Sequence, residues 1–317
     1  MLPAPILRSC RWSRSGPGSM RPARALCSAA MVTARIAVLG HGQVPVTEPV
    51  LRGDDLGVLH GDGLFETMHL RAGRPWLREA HLGRMRRAAQ AVELALPPTG
   101  ALVALLDEIS DGWPIDVEGV LRLVCTRGAE GGGPPTTYAT LAPVPPSARA
   151  ARRDGITVAT LPLGVPARAR AGLDWLPTGS KTTSYAVNNA ARRWASRSGV
   201  TDALWISTDG YVLEGPTANV LWLAAGALRT VPATTGILPG TTAAWLLANA
   251  DQVGLAAEER LATPAELHTA DAIWFSSSVR GLVEVRALDG VRRPRSAYTK
   301  RLQALLGFPV PPDEQPG

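Results

Sequence analysis

Thr178-Gly179-Ser180-Lys181-Thr182-Thr183-Ser184-Tyr185 sets a lysine in a loop of glycine and hydroxyl residues, directly ahead of a run with helical character from Tyr185 to Ser196. Only one other lysine, Lys300, occurs in the 317 residues; the remaining positive charge is arginine. An ordinary lysine lies in water at the surface. One held among small residues at a loop-to-helix junction is instead placed to react through its amine, and Lys181 is read as the covalent anchor of a cofactor.

Outward from this loop, the chain alternates strands with helices. Ile156-Thr157-Val158-Ala159-Thr160-Leu161 precedes it as an alternating strand, and Asp202 to Ser207 follows, closed by the Asp209-Gly210 turn. Tyr211 to Gly215 continues that hairpin, and Asn219 to Leu223 is a further strand. Gly236-Ile237-Leu238-Pro239-Gly240-Thr241-Thr242 leads into a helix expected from Ala243 to about Asp251. Ala272-Ile273-Trp274-Phe275 reads as a buried strand ending at Ser276-Ser277-Ser278, and Leu302 to Leu306 as part of a C-terminal helix. Beyond Phe308 a proline-rich end is expected to be loose.

In the first half, Arg35 to Leu39 is a short strand, and His60-Gly61-Asp62-Gly63-Leu64-Phe65-Glu66-Thr67-Met68-His69-Leu70 is a glycine-punctuated hairpin strand ending at Ala72-Gly73. Leu82, Met85, Ala89 and Val92 recur at helical spacing over Glu79–Val92, with His81 and Arg84 near the start. A guanidinium near the first turn of a helix suits bidentate contact with phosphate. Ala101–Ile109 predicts a second helix; Val120–Cys125 and Tyr138–Leu141 predict strands. Residues 142–154 have the Pro, Ser, Ala and Arg content of a linker, so the domains are set at 31–148 and 149–317.

A chain of 317 residues suffices for two domains with substantial cores. With 45% hydrophobic and 19% charged residues and no apolar run long enough to cross a bilayer, it is expected to be globular, with no membrane partner. The net charge of +6 would suit a nucleic-acid partner, but residues 1–30 hold five arginines and no acid, and removing them leaves +1. No basic face with interleaved aromatics argues for nucleic acid. Residues 1–30 are treated as a disordered or non-native extension, with translation from Met31 as one explanation; their composition also suits an organelle transit peptide. Two of three cysteines, Cys10 and Cys27, lie in that tail, so neither disulfides nor a cysteine metal site is expected, and a cytoplasmic setting fits best.

Lys181 with Tyr185, Glu214-Gly215 ahead of Asn219, Leu238 to Thr242, Ser276 to Ser278, and His81 with Arg84 upstream resemble, in order and spacing, the class IV aminotransferases over roughly residues 44–288. The resemblance implies an α+β, two-domain fold type IV enzyme: a small N-terminal α/β domain and a larger, barrel-like C-terminal α/β domain. It implies pyridoxal 5′-phosphate as cofactor, held by Lys181, which is also the proton-transfer base. By the same resemblance Glu214 faces the pyridine nitrogen, Tyr185 the ring oxygen, and Arg84, Thr241, Thr242 and Ser278 form a phosphate cup. No metal is implied. A homodimer acting on an amine or amino-acid-like small molecule is.

Three departures bear on the reaction. D-amino-acid aminotransferases carry an Arg-X-His carboxylate trap after the strand that here ends in Thr126-Arg127-Gly128, but this loop runs Ala129-Glu130-Gly131-Gly132-Gly133-Pro134-Pro135. Branched-chain enzymes tend to Phe-Glu-Gly where this chain has Phe65-Glu66-Thr67. The Gly61–Thr67 pattern looks most like the 4-amino-4-deoxychorismate lyase group, which implies release of 4-aminobenzoate and pyruvate in folate synthesis. Thr67 is then the candidate proton donor to the leaving enolpyruvate, and Arg127 the candidate for substrate carboxylate. The alternative is an aminotransferase for D-amino or branched-chain amino acids.

Overall fold

The computed structural model describes residues 32–173 and 175–308. The expectations for residues 1–30 and for the proline-rich end after Phe308 lie outside these. Among the described residues no helix is long and apolar enough to cross a membrane.

The first sheet is antiparallel throughout. Its strands are β1 (Arg35–Val38), β2 (Gly42–Val44), β3 (Gly63–Arg71), β4 (Arg74–Pro75), β5 (Gly119–Thr126) and β6 (Thr136–Pro143), in the order β2-β1-β6-β5-β3-β4. A short helix, α1 (Leu56–Leu59), precedes β3, with Asp55 capping the N–H of Gly57. Ala72 and Gly73, both at positive φ, turn β3 into β4. The helix α2 (Arg78–Ala91) packs on β3 through Leu82, Met85 and Ala89, and α3 (Thr99–Ser110) covers β6 and β1 with Leu102, Leu105, Leu106 and Ile109. This is the apolar stripe that helical spacing requires.

Residues 146–154 are not a linker: they form α4 (Pro146–Asp154), which packs on the second sheet. Proline fits the first turn because its missing N–H would have no helical partner there. Buried Ala148 and Arg152 give the helix an inward face that composition conceals.

The second sheet uses β7 (Ile156–Pro162), β8 (Asp202–Ile206), β9 (Glu214–Gly215), β10 (Ala218–Ala224), β11 (Ala227–Thr230), β12 (Ala256–Glu259), β13 (Ala272–Ser277), β14 (Gly281–Leu288) and β15 (Val291–Arg292). The main path is β12-β11-β10-β13-β14-β7-β8. β8 then meets the segment leading into β9 through the Ile206–Val212 bridge and the bond from Leu213 N–H to Trp205 O, 2.9 Å, while β9 pairs back onto β10. The sheet thus curls into a closed, barrel-like ring, filled by Val158, Leu204, Val220, Trp222, Phe275 and Val283. Glu214 sits in the closing seam.

Around the ring lie α5 (Ala186–Arg197), α6 (Thr241–Ala248), α7 (Pro264–Thr269) and α8 (Ala297–Leu305). Tyr185 precedes α5 rather than opening it. The helix expected from Ala243 to Asp251 begins two residues earlier and stops at Ala248, continuing as a separate 3₁₀ turn over Ala250–Val253. Its early start puts both threonines in the first turn.

Candidate active site

Strand alternation divides β3 between two environments. Glu66 points into the space under α2 and is fully buried, whereas Phe65 and Thr67 line an open cleft of about 790 Å³ between the two sheets. Glu66 Oε1 accepts from Arg84 Nε at 2.8 Å, and Oε2 from Arg84 Nη2 at 2.6 Å and His81 Nδ1 at 2.7 Å. Burial alone would raise this carboxyl. The charge and fork of Arg84, with the His81 bond, outweigh it and hold the group at about 2. Arg84 also donates to Pro239 O at 3.0 Å, tying α2 to the segment before α6.

The lysine loop is laced to the edge of β3. Phe65 N–H donates to Lys181 O at 2.9 Å, Thr183 N–H to Gly63 O at 2.8 Å, and Thr183 Oγ1 to Gly61 O at 2.7 Å. Gly179, at φ +70°, makes the turn that delivers the lysine. Lys181 Nζ lies 4.4 Å from the Phe65 ring centre and 3.5 Å from Tyr185 Oη. Phe65 and Tyr185 meet edge to face at 5.3 Å. Burial first, and then the charge of Arg84, lower the amine to about 8 against the pull of Glu66 and Glu214. Burial likewise raises the Tyr185 phenol, with the Glu214 charge adding to it.

Glu214 faces Leu238, whose N–H donates to Oε1 at 3.1 Å, and Asn219 Nδ2 lies 3.4 Å from Oε2 and 2.8 Å from Leu238 O. Burial pushes this carboxyl up to about 7; the Leu238 bond and the charges of Arg170, Lys181 and Arg84 only partly offset it. It is a group that can hold or give a proton near neutrality.

Gly240, just ahead of α6, supplies no side-chain cap, so the first-turn N–H groups of the helix lack one where Gly240, Thr241 and Thr242 line the cleft. Thr242 Oγ1 and Ser276 Oγ are buried without a hydrogen-bond partner among the described residues, and both residues line the cleft. His81 Nε2 stands 3.2 Å from Thr241 Oγ1 and 3.1 Å from Ser278 Oγ. Orphaned hydroxyls, an uncapped helix start and the Arg84 guanidinium are a donor set for a dianion of the phosphate-ester kind. The cofactor the sequence resemblance implies fits these residues.

Of the residues singled out from sequence, Lys181, Thr67, Arg84, Tyr185, Thr241, Thr242 and Ser278 line this one cleft, and Glu214 lies within electrostatic reach of Lys181. Arg127 does not belong there. Its guanidinium grips Asp62 and the carbonyls of Val92 and Glu93, which spends its donors on the turn before β3. Arg122 occupies the cleft instead: its backbone pairs with Thr67 in the β3/β5 register, and its side chain has no hydrogen bond or ion pair among the described residues. Sequence reading passed over Arg122 and Glu66. The register of β5 against β3, once aligned at Thr126 and Gly63, is the signal that puts Arg122 beside Thr67.

A lysine amine at a loop-to-helix junction, a carboxylate in a barrel seam and a hydroxyl-rich helix start beneath an arginine define the class of fold type IV pyridoxal-phosphate enzymes. The chain belongs to the amino-transferase class IV family, whose model matches residues 63–288. Among relatives, the bifunctional aminodeoxychorismate lyase / D-amino acid transaminase of Mycobacterium tuberculosis is 38% identical over 274 residues, 84% of this chain and 95% of that protein. A hypothetical aminotransferase from Mycobacterium tuberculosis in its PLP-bound form has a TM-score of 0.83 and 38% identity, covering 87% of this chain and 98% of that one. A fold IV-transaminase from Curtobacterium pusillum has a TM-score of 0.81 and 34% identity, covering 86% and 97%. The protein is thus a pyridoxal-phosphate enzyme of the α+β fold type IV architecture.

Proposed function

We propose that this enzyme is a 4-amino-4-deoxychorismate lyase that releases 4-aminobenzoate and pyruvate. The observation that carries the reading is the register pairing of Thr67, two residues along the same strand face from Phe65 with the Lys181 amine over its ring, with Arg122, whose guanidinium on the cleft wall has no partner among the described residues. That step along a strand is about 7 Å, the scale of a substituted six-membered ring. A substrate with carboxylates and a hydrogen-bonding leaving group meets a cation and a hydroxyl there.

Arg84, Thr241, Thr242, Ser276 and Ser278 hold the cofactor phosphate, Lys181 the aldehyde end, Tyr185 the ring oxygen and Glu214 the pyridine nitrogen. When bound, pyridoxal phosphate supplies an electron-withdrawing ring that stabilises negative charge on the carbon bearing the substrate amine. With its amine lowered to about 8, Lys181 is neutral in roughly a tenth of molecules at neutral pH and takes the proton from that carbon. Glu214 keeps a proton at the ring nitrogen. Arg122 binds a substrate carboxylate, and Thr67 Oγ1 donates a proton to the enolpyruvate oxygen as the C–O bond breaks, its hydroxyl being restored by the proton that Lys181 took from the carbon. Loss of that group leaves the aromatic amine.

The test is incubation of the enzyme with aminodeoxychorismate and no keto acid. Equal yields of 4-aminobenzoate and pyruvate are expected, reduced on the order of 100-fold in Thr67→Ala. No product, with exchange between amino and keto acids intact, removes the lyase reading and leaves a second one: transamination of D-amino acids, favoured by the bifunctional relative. A homodimer is proposed on family grounds and is checked by solution mass.

A further inference from the structure

His81 lies between a carboxylate and two hydroxyls of the proposed phosphate cup, and the hydrogens these groups carry constrain its protonation. A neutral imidazole has one N–H and one ring lone pair. Nδ1 stands 2.7 Å from Glu66 Oε2, an acceptor, so the N–H is at Nδ1 and Nε2 is bare. Nε2 then accepts from Thr241 Oγ1 at 3.2 Å or Ser278 Oγ at 3.1 Å. Each hydroxyl has a single hydrogen.

A phosphate dianion only accepts. When both hydroxyls turn their hydrogens to it, the Nε2 lone pair is left facing two oxygen lone pairs in a fully buried position, an arrangement folded proteins avoid. A proton on Nε2 resolves it, because the imidazolium donates to the hydroxyl oxygens while they donate onward. We propose that His81 is a proton-coupled positioning residue: it is neutral in the phosphate-free chain and takes up a proton as the cofactor's phosphate settles against Thr241 and Ser278. The proposal rests on the phosphate cup assigned above. The charges facing His81 are Glu66 from β3, Arg84 one turn along α2, and Lys181 from the loop. Burial, aided by Arg84 and Lys181, keeps the free imidazole neutral against the pull of Glu66. The incoming dianion reverses that balance. Phosphate and Glu66 then flank one imidazolium, which fixes the hydroxyl hydrogens toward the ligand.

Two measurements test this. In ¹⁵N-histidine spectra of the holoenzyme near pH 8, one of the five histidines should carry protons on both ring nitrogens. That signal should be missing from His81→Gln and should revert to one bare nitrogen in the phosphate-free protein. If His81→Gln does not fold, removing His41, His60, His69 and His268 singly assigns the wild-type signal by elimination. Calorimetric titration of the phosphate-free protein with pyridoxine 5′-phosphate, which has no aldehyde for Lys181, in buffers of different ionisation enthalpy should show about one more proton taken up by wild type than by His81→Gln. Affinity for this probe should fall about tenfold per pH unit between the free and bound titration points of His81, and His81→Gln should lack that slope. A bare Nε2 in the holoenzyme, or equal proton uptake in both proteins, overturns the proposal. Should Thr241→Val and Ser278→Ala still weaken binding of the probe in that case, the cup itself stands. Unchanged affinity in both variants removes the cup and this inference together.

Discussion

Gly240 has φ −70°, a value open to any residue, yet a Cβ there would lie 1.8 Å from Asn219 Oδ1. Glycine is required for space, not for backbone freedom. Asn219 in turn bonds Leu238 O and reaches Glu214, so a methyl at 240 must push the amide away from the carboxylate proposed to face the ring nitrogen. Gly240→Ala is therefore expected to lower cofactor affinity by about tenfold or more through local overpacking, read by titrating phosphate-free protein with pyridoxal phosphate. Lys181→Ala is expected to abolish the visible imine band; a variant that keeps both band and activity contradicts the covalent role. Lys181 stood out in the sequence because it is one of two lysines and lies in a run of glycine and hydroxyl residues, whereas Arg84 and Glu214 were singled out only through the order and spacing they share with the class IV aminotransferases. Glu66 was not, because strand alternation tells that Glu66 and Thr67 face opposite ways without telling which side is closed. Arg127 misled for a related reason: composition places an arginine near the cleft but cannot see Asp62 folding back to claim it.

At the scale of elements, β3 and α2 are joined by a buried charge cluster rather than by apolar contacts alone. Replacing Glu66 with alanine leaves the Arg84 guanidinium and His81 Nδ1 buried without their acceptor. Breaking one side of such a pair costs about 3–5 kcal/mol, and Glu66→Ala is expected to lose stability on that order in urea unfolding. A loss under about 1 kcal/mol would mean water or Pro239 O replaces the carboxylate. The elements themselves were largely legible, since period-2 and period-3.6 patterns survive in β3, β7, α2 and α3. α4 was not. Its inward residues, Ala148 and Arg152, are a small side chain and a charge, and Arg152 is held inside by Glu118, which accepts from it at 3.0 Å, with the carbonyls of Val279 and Arg280 taking further donors. The curl of the second sheet was also out of reach of periodicity, which reports which face of a strand is covered and not which strand lies beside it.

Over the whole molecule, the buried acids and bases set how the phosphate-free protein responds to pH. His69 and His81 have folded values below the ordinary 6.5, because burial opposes their charge. Below that value the unfolded chain binds protons that the folded one refuses, and stability falls with pH. Glu66 and Glu118 have folded values of about 2 against an ordinary 4.5, held down against burial by Arg84 and His81 in one case and by His69 and Arg152 in the other. Their contribution is fully present above 4.5 and is lost as pH falls toward 2. Both of these windows slope the same way, but Glu214, raised to about 7 by burial, slopes the other way between 7 and 4.5, because the folded chain keeps a proton there that the unfolded one has released; urea midpoints should therefore change little through the histidine window and fall most steeply below about pH 4.5. Glu118→Gln separates the shares of the two carboxylates: the Glu118 side chain bonds His69 of β3 and Arg152 on α4, so the variant should be less stable at neutral pH yet lose less on going to about pH 3. With cofactor bound, a protonated His81 no longer refuses its proton, and the holoenzyme should resist acid better through the histidine window than the added binding energy alone predicts. Parallel midpoint curves for the two forms down to about pH 5 would show that the imidazole does not change state on binding.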